Sequence, residues 1–161
     1  MKRFLFGVVI GGLLGTGFGA ALMVFFYPFI FLSDIVAEET LHDVEAKTLR
    51  AGGSFIHANP SDPIHYGMGK VSLYYGTVRL ESDFEVGPGP KYKVLLHTAK
   101  GIRKSGDVTA ARYVDLGDLR AFKGSQNYTV PADVKLDDYQ SVVIWCEAFG
   151  VLISPAELMF R

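Results

Sequence analysis

The chain has a single cysteine and lacks the short motifs that identify most catalytic sites. Because Cys146 is the only cysteine among the 161 residues, neither an internal disulfide nor a two-thiolate zinc site can form within one chain. The sequence contains no HExxH, GxSxG, P-loop or CxxC motif. Whether the protein is an enzyme is therefore left open, and the absence of these motifs favours an electron-transfer or binding module over a turnover enzyme.

The chain also lacks an excess of basic residues. It has 16 Lys and Arg against 17 Asp and Glu, and Lys2 and Arg3 are the only basic residues before position 33. The remainder is thus mildly acidic. A nucleic-acid-binding domain needs a basic face, so nucleic acid is excluded as a partner.

Hydrophobic residues, 49% of the chain, are concentrated near its start. The run Phe4–Leu32 contains no charged residue and no histidine, and about 20 helical residues suffice to cross a bilayer. Its bulky end, Phe25–Leu32, lacks the small residues of a signal-peptidase site. We predict an uncleaved transmembrane helix over residues 4–32, with its core at about residues 5–27.

The charges on either side of this helix predict its orientation. Lys2 and Arg3 precede it, and the residues that follow are mainly acidic. By the positive-inside rule, residues 1–3 are cytoplasmic and the rest of the chain is exported. The prediction is a single-pass protein of the plasma or inner membrane, with a periplasmic or extracellular C-terminal domain.

A stripe of small residues lies within the predicted helix. Gly7, Gly11, Gly15 and Gly19 recur every four residues, which places them on one helical face. Such stripes allow close packing between membrane helices, although glycine is also simply frequent in them. We predict that this face packs against a second copy or a partner helix.

Composition divides the exported part into two segments. Residues 33–51 have helical composition, with cap-forming residues at the start and Gly52 and Gly53 after the end, and form a predicted juxtamembrane linker. Residues 52–161 consist of short β-branched and aromatic runs separated by Gly, Pro and Asp. The predicted fold is all-β, a single sandwich- or barrel-like domain after one transmembrane helix and a short helical linker.

Alternation within the run Ser141–Ile153 assigns side chains to faces. Val142, Ile144 and Cys146 share an apolar side, which favours a buried or half-buried thiol. The expected loops are Asn59–Gly69, Ala99–Ala111 and the turn Gln126–Pro131. In this interpretation Trp145 and Phe149 fill the core, and Gln126 and Asn127 satisfy backbone groups.

A set of motifs lies along the exported segment: Gly52-Gly53-Ser54-Phe55, residues 67–74, residues 78–84, Gly87-Pro88-Gly89-Pro90, residues 115–119, residues 123–131, Tyr139 and residues 142–149. By these motifs the segment resembles, over roughly residues 52–160, the DM-thirteen, or "electron transfer DM", domain family. The resemblance implies a β-rich redox or electron-transfer module on a membrane anchor. Cys146 is the position that matches the family's cysteine.

Two readings of Cys146 remain open at the level of sequence. In the first, Cys146 is a redox thiol or a ligand, with His97 as a second candidate cofactor-binding residue and an external redox partner. No cofactor is identified, and haem iron and copper are the groups that a thiolate ligand allows. In the second, the domain is a non-catalytic binding or scaffolding module on a membrane stalk, and Cys146 is a core residue.

Overall fold

The chain begins with one long helix, α1 (Lys2–Tyr27), which is apolar on all sides and has no buried residue. By length and composition it is able to cross a membrane. This computed structural model describes residues 1–27, 30, 35–41 and 49–161.

The described residues after α1 are mainly β-strands, as predicted. The strands are β1 (Val36–Glu38), β2 (Leu49–Ser54), β3 (Gly67–Met68), β4 (Lys70–Tyr74), β5 (Thr77–Leu80), β6 (Glu85–Val86), β7 (Tyr92–His97), β8 (Tyr113–Asp118), β9 (Lys123–Thr129), β10 (Ser141–Cys146), β11 (Val151–Glu157) and β12 (Met159–Phe160). A short helix α2 (Ser105–Thr109) and a 3₁₀ turn (Leu136–Asp138) interrupt them.

Within the described part of the chain the strands form two sheets. The larger, curled sheet has the order β12-β2-β4-β5-β9-β6-β3, with β1 added in parallel to β9. The smaller sheet has the order β11-β10-β7-β8. Leu73 and Val78 of the first sheet and Val94 and Ile144 of the second are fully buried in one common core. The fold is therefore sandwich-like, as the sequence predicts.

The smaller sheet has a second apolar layer on its outer face. Val143 and Leu95 point away from the common core and pack with Ile102, Val108 and Leu152. Strand β10 is thus covered on both sides, which explains why its sequence is almost continuously apolar.

Four details of the prediction were wrong. Within the linker, Val36–Glu38 and Leu49–Ala51 are strand rather than helix, and residues 33–34 and 42–48 lie outside the described residues. The predicted turn at Gln126 is the middle of β9. Strand β3 and helix α2 lie in the two segments that were expected to be loops, Asn59–Gly69 and Ala99–Ala111. Phe149, expected in the core, is 60% exposed in the β10–β11 turn.

Candidate functional site

Cys146 ends β10 on the face that points into the common core. Its side chain is only 1% exposed, as the alternation predicted. The register pairs Cys146 with Tyr92 of β7. The next pair is hydrogen-bonded, because Glu147 N donates to Lys91 O at 3.0 Å. Cys146 and Tyr92 are therefore a non-hydrogen-bonded pair, the kind in which cross-strand side chains lie closest.

The thiol lies among backbone hydrogen-bonding groups. Cys146 Sγ donates to the Pro90 carbonyl at 3.3 Å. Burial raises the pKa of the Cys146 thiol, and the backbone N–H groups of Phe149 and Ala148, which favour a thiolate, oppose that shift only in part. At neutral pH the thiol is consequently protonated and weakly nucleophilic in this conformation.

A basic residue, Lys91, pairs across the strands with the residue that follows Cys146. Lys91 precedes Tyr92 and has a positive φ of 53°. Its Nζ forms a 3.0 Å ion pair with Glu147, the residue after Cys146. This pair ties the start of β7 to the end of β10. Sequence inspection around Cys146 does not find Lys91, because only strand pairing brings the two residues together.

Residues Gly87–Pro90, which we call the Gly-Pro segment, contact two tyrosines. A Cβ at Gly89 would overlap the hydroxyl and ring of Tyr92. A Cβ at Gly87 would lie 3.0 Å from Cε1 of Tyr66. Glycine at both positions allows each phenol ring to lie directly against the backbone.

Tyr66, Tyr92 and Cys146 thus follow one another along the Gly-Pro segment, and we call them the Tyr-Tyr-Cys array. Burial raises the pKa of Tyr92, and the nearby Cys146, Asp62 and Tyr66 add to this effect. The Tyr92 ring packs edge-on against Phe122 at 5.8 Å. All three side chains of the array are oxidisable, and all three are neutral near pH 7.

The Tyr66 end of the array reaches the surface beside a carboxylate. The Tyr66 hydroxyl donates to Glu85 Oε1 at 3.2 Å, and Lys123 Nζ lies 3.6 Å from the same oxygen. Burial and the negative charge of Glu85 raise the pKa of Tyr66. Tyr66 therefore has a proton acceptor in direct contact.

Asp62 organises the loop that carries Tyr66. Its carboxylate accepts the backbone N–H groups of Ile64 and His65 at 3.0 and 3.1 Å, and it pairs with His65 Nδ1 at 2.6 Å. These interactions, led by the His65 side chain, lower the pKa of Asp62 to about 2. The Asp62 backbone carbonyl lies 2.7 Å from Nε2 of His57. Two of the four histidines therefore hold this loop together.

Asp62→Asn is expected to change the acid stability of the domain. Because the folded-state pKa is lowered, Asp62 contributes stability that is present above pH 3.8 and is lost as the pH falls through about 2. We expect the free energy of unfolding of the variant to be about 1 kcal/mol lower than that of the wild type at pH 7 and close to it near pH 2. Urea unfolding at several pH values measures this. Asp133→Asn, at an exposed loop position, is the control, and an equal loss at pH 7 and pH 2 would contradict the prediction.

His97 is fully buried and does not lie near Cys146. Its Nε2 lies 3.0 Å from the Val108 carbonyl, and its Nδ1 accepts the Ala99 N–H at 3.0 Å, so both ring nitrogens have backbone partners. The register places His97 opposite Ser141, at the other end of the β7–β10 pair. Five residues of strand separate Ser141 from Cys146, or about 17 Å.

The structure therefore does not bring Cys146 and His97 together as ligands of one haem iron or copper ion. The thiol is buried against a carbonyl, and the imidazole has no free nitrogen. Within the described ranges, no group of three or more His, Cys, Asp or Glu side chains is arranged to hold a metal ion. His42 lies outside the described residues.

The glycine face of α1 is open in the single chain. A Cβ at Gly7, Gly11, Gly15 or Gly19 would meet no atom within 4 Å. Helix packing through these four residues remains a prediction, and the structure is that of one copy.

Tyr66 and Tyr92 are the site residues that sequence reasoning missed. The signal was present, since Gly87-Pro88-Gly89-Pro90 was already among the family motifs. A run of alternating Gly and Pro indicates a turn, but it does not reveal which distant side chains pack against that turn.

The fold and the array define a small two-sheet β domain, preceded by an apolar helix, in which the only thiol and two tyrosines lie along one Gly-Pro segment. Residues 61–158 match the model of a family described as "Electron transfer DM13". The chain belongs to this family, and the resemblance seen in the sequence is confirmed. Neither the curated proteins nor the solved structures gave a match.

Proposed function

We propose that this protein is a membrane-anchored electron-transfer module, with its domain outside the cytoplasm and the Tyr-Tyr-Cys array as its redox-active group. One observation carries the proposal. Within the family match, the only thiol of the chain and two phenols lie against the same Gly-Pro segment, and one of these phenols, Tyr66, is hydrogen-bonded to a carboxylate.

The anchor is supported by α1 and by the charges around it. The helix has 26 residues and no acidic residue, and Lys2 and Arg3 lie at its start. The orientation follows from the positive-inside rule. Self-association through the glycine face, or packing against a partner helix, would bring two redox modules or a module and its partner close together in the membrane.

The chemistry of the array couples electrons to protons. Tyr66, Tyr92 and Cys146 are all protonated near pH 7, so each must lose a proton when it loses an electron. Tyr66 has the means to do so, because its hydroxyl already donates to Glu85. Loss of one electron from Tyr66 to an external one-electron oxidant would leave a neutral phenoxyl radical and a protonated Glu85. If Cys146 then gives one electron through Tyr92 to the Tyr66 radical, Glu85 returns its proton to the Tyr66 phenoxyl oxygen, and Cys146 becomes a thiyl radical whose proton passes to solvent.

A second function, a binding or scaffolding module, is favoured by the burial of Cys146 itself. A thiol with a raised pKa that donates to a carbonyl is typical of an unreactive core residue. A cleft of about 400 Å³ beside the smaller sheet offers a binding surface, lined in part by Asp62, His65, Arg103 and Lys104. In this alternative, Cys146→Ala costs about 1–2 kcal/mol of stability and changes nothing else.

Electron paramagnetic resonance after flash oxidation tests the proposed function. The full chain in nanodiscs is exposed to a soluble one-electron oxidant, and the tyrosyl radical is recorded. Tyr66→Phe is expected to reduce the radical yield at least fivefold, and Cys146→Ala is expected to lengthen the radical lifetime. Tyr75→Phe, which alters an exposed tyrosine, is the control.

Equal radical yields and lifetimes in all four proteins would contradict the redox function and leave the binding module as the better account. A UV–visible spectrum and a metal analysis of the same samples show whether any bound group contributes to the signal.

A further inference from the structure

Strand β1 fixes the point at which the chain from the membrane joins the domain. The Glu39 carboxylate accepts two hydrogen bonds from Arg120, at 2.8 and 3.0 Å, and a third from Asn127 N at 2.8 Å. The Glu39 carbonyl accepts Arg79 Nη1 at 3.1 Å and Ser125 Oγ at 2.9 Å. The chain at residues 36–39 is therefore held firmly on the sheet rather than tethered loosely.

The connection between the membrane and this point is short. The uncharged run of the sequence ends at Leu32, and β1 begins at Val36. Four residues of extended chain span at most about 14 Å. If the uncharged run lies in the membrane and its interface, Val36 must lie within that distance of the interface.

The row of side chains across this end of the sheet is partly apolar and contains one ion pair; the exposed carboxylate of Glu38, two residues after Val36, lies on the same side of β1. The register aligns Val36 with Lys123, Lys123 with Glu85, and Glu85 with Met68, so the four side chains share one side of the sheet. Val36 is 53% exposed and Met68 is 51% exposed. Lys123 and Glu85 form an ion pair and so neutralise each other. Ile35, next to Val36, is also exposed.

We infer that this row, which we call the Val36–Met68 face, rests on the surface of the bilayer that holds α1. Three observations combine here: the short connection, the fixed strand β1, and two exposed apolar side chains on either side of a neutral ion pair. Shallow burial of the apolar side chains among lipid headgroups is favourable, and no basic patch is needed. The inference rests on the anchoring part of the proposed function.

The orientation specifies the kind of redox partner. Glu85 belongs to the Val36–Met68 face, and Tyr66 donates to Glu85. The surface end of the Tyr-Tyr-Cys array therefore lies close to the membrane. A partner that exchanges electrons with Tyr66 would be membrane-embedded or bound at the membrane surface, and a freely soluble carrier would have restricted access.

Fluorescence quenching in proteoliposomes tests this orientation. Val36→Cys, Met68→Cys and Tyr75→Cys are each made in the Cys146→Ala background and labelled with one fluorophore. Tyr75 is 74% exposed and precedes Gly76, whose carbonyl accepts Val130 N, so it lies at the far end of β9. Because Lys123 begins β9 and Tyr75 lies beside its other end, the two residues are about 20 Å apart. With lipids that carry a headgroup quencher, we expect at least threefold stronger quenching at positions 36 and 68 than at 75.

Equal quenching at the three positions, or the strongest quenching at 75, would overturn the inference. A fourth variant, Leu14→Cys, separates this failure from a failure of the anchor. If residue 14 resists a membrane-impermeant thiol reagent but the quenching is uniform, the protein is anchored and the orientation is wrong. If residue 14 reacts freely, the anchor and the inference both fail.

Discussion

Gly124→Ala is expected to release β1 from the larger sheet and to destabilise the domain by about 2–5 kcal/mol. Gly124 has a φ of +86°, and a Cβ there would overlap the carbonyl oxygen of Ala37 in β1. The left-handed backbone costs an alanine about 1–2 kcal/mol, and forcing two backbones apart adds about 1–3 kcal/mol. Because β1 is bonded to β9 over Val36–Glu38, the strand cannot move without losing that pairing.

Gly76→Ala is a matched control for this substitution. Gly76 has almost the same φ, +87°, but a Cβ there would meet no atom within 4 Å. Gly76→Ala should therefore lower the free energy of unfolding only by the cost of placing an alanine in this backbone conformation, about 1–2 kcal/mol. Hydrogen exchange of the Glu39 amide, which donates to Ser125 O, reports β1 directly. Equal losses in both variants, with the Glu39 amide still protected, would show that β1 is not held by this contact.

The same variant bears on the position of the domain at the membrane. If β1 is released, the chain from the membrane first joins the domain at β2, which begins at Leu49, instead of at Val36. The additional residues would let the domain tumble. Labels at positions 68 and 75 should then be quenched more nearly equally in Gly124→Ala than in the parent.

Local sequence pattern was sufficient to predict strand β10 of the smaller sheet. Ser141–Cys146 lies within the run identified in the sequence, and the alternation placed Val142, Ile144 and Cys146 on the buried side. Such runs are predictable because burial on one or both faces dictates the residue types directly.

The larger sheet was less predictable, because two of its strands are not apolar. Strand β9, Lys123–Thr129, consists mostly of small and polar residues, since several of its side chains bond to the residues just after β1 and to a nearby loop instead of filling the core. Strand β1 has only three residues and pairs with a strand far along the chain. Neither pattern is distinguishable from a turn or a helical linker when the partner strand is unknown.

The candidate site was predictable only in part, for a related reason. Cys146 was found because it is the only thiol and matches a family position. Tyr66 and Tyr92 were missed, because their proximity to Cys146 depends on strand register and on the path of the Gly-Pro segment. His97 was proposed from its place at a strand end, but antiparallel pairing puts that end opposite Ser141 rather than Cys146.

Gln126→Leu, also in β9, is expected to lower the free energy of unfolding by about 3–5 kcal/mol. Gln126 is completely buried, and its Oε1 accepts the backbone N–H groups of Arg120 and Ala121 and the Tyr128 hydroxyl. Its Nε2 donates to the Ala121 carbonyl at 2.8 Å. Leucine fills a similar volume but leaves these groups without their partner, and each buried unsatisfied group costs about 1–3 kcal/mol.

The damage is expected to spread to β1 through Arg120. The Arg120 guanidinium lies 4.3 Å from the centre of the Tyr128 ring and binds Glu39. Loss of Gln126 frees the backbone at Arg120 and so loosens the group that holds Glu39. The Glu39 amide should therefore exchange faster in Gln126→Leu, although Gln126 does not itself contact β1 in the hydrogen bonds described.

Tyr128→Phe provides the matched control, because it removes one of the four hydrogen bonds of Gln126 and keeps the packing of the ring. It should cost about 1 kcal/mol and leave exchange at Glu39 nearly unchanged. Urea unfolding of the full chain in detergent, followed by the fluorescence of the single tryptophan, Trp145, measures both losses. If Gln126→Leu costs no more than Tyr128→Phe, the buried amide is not the element that joins β9 to its preceding loop, and the strand must be held mainly by its backbone pairing with β5 and β6.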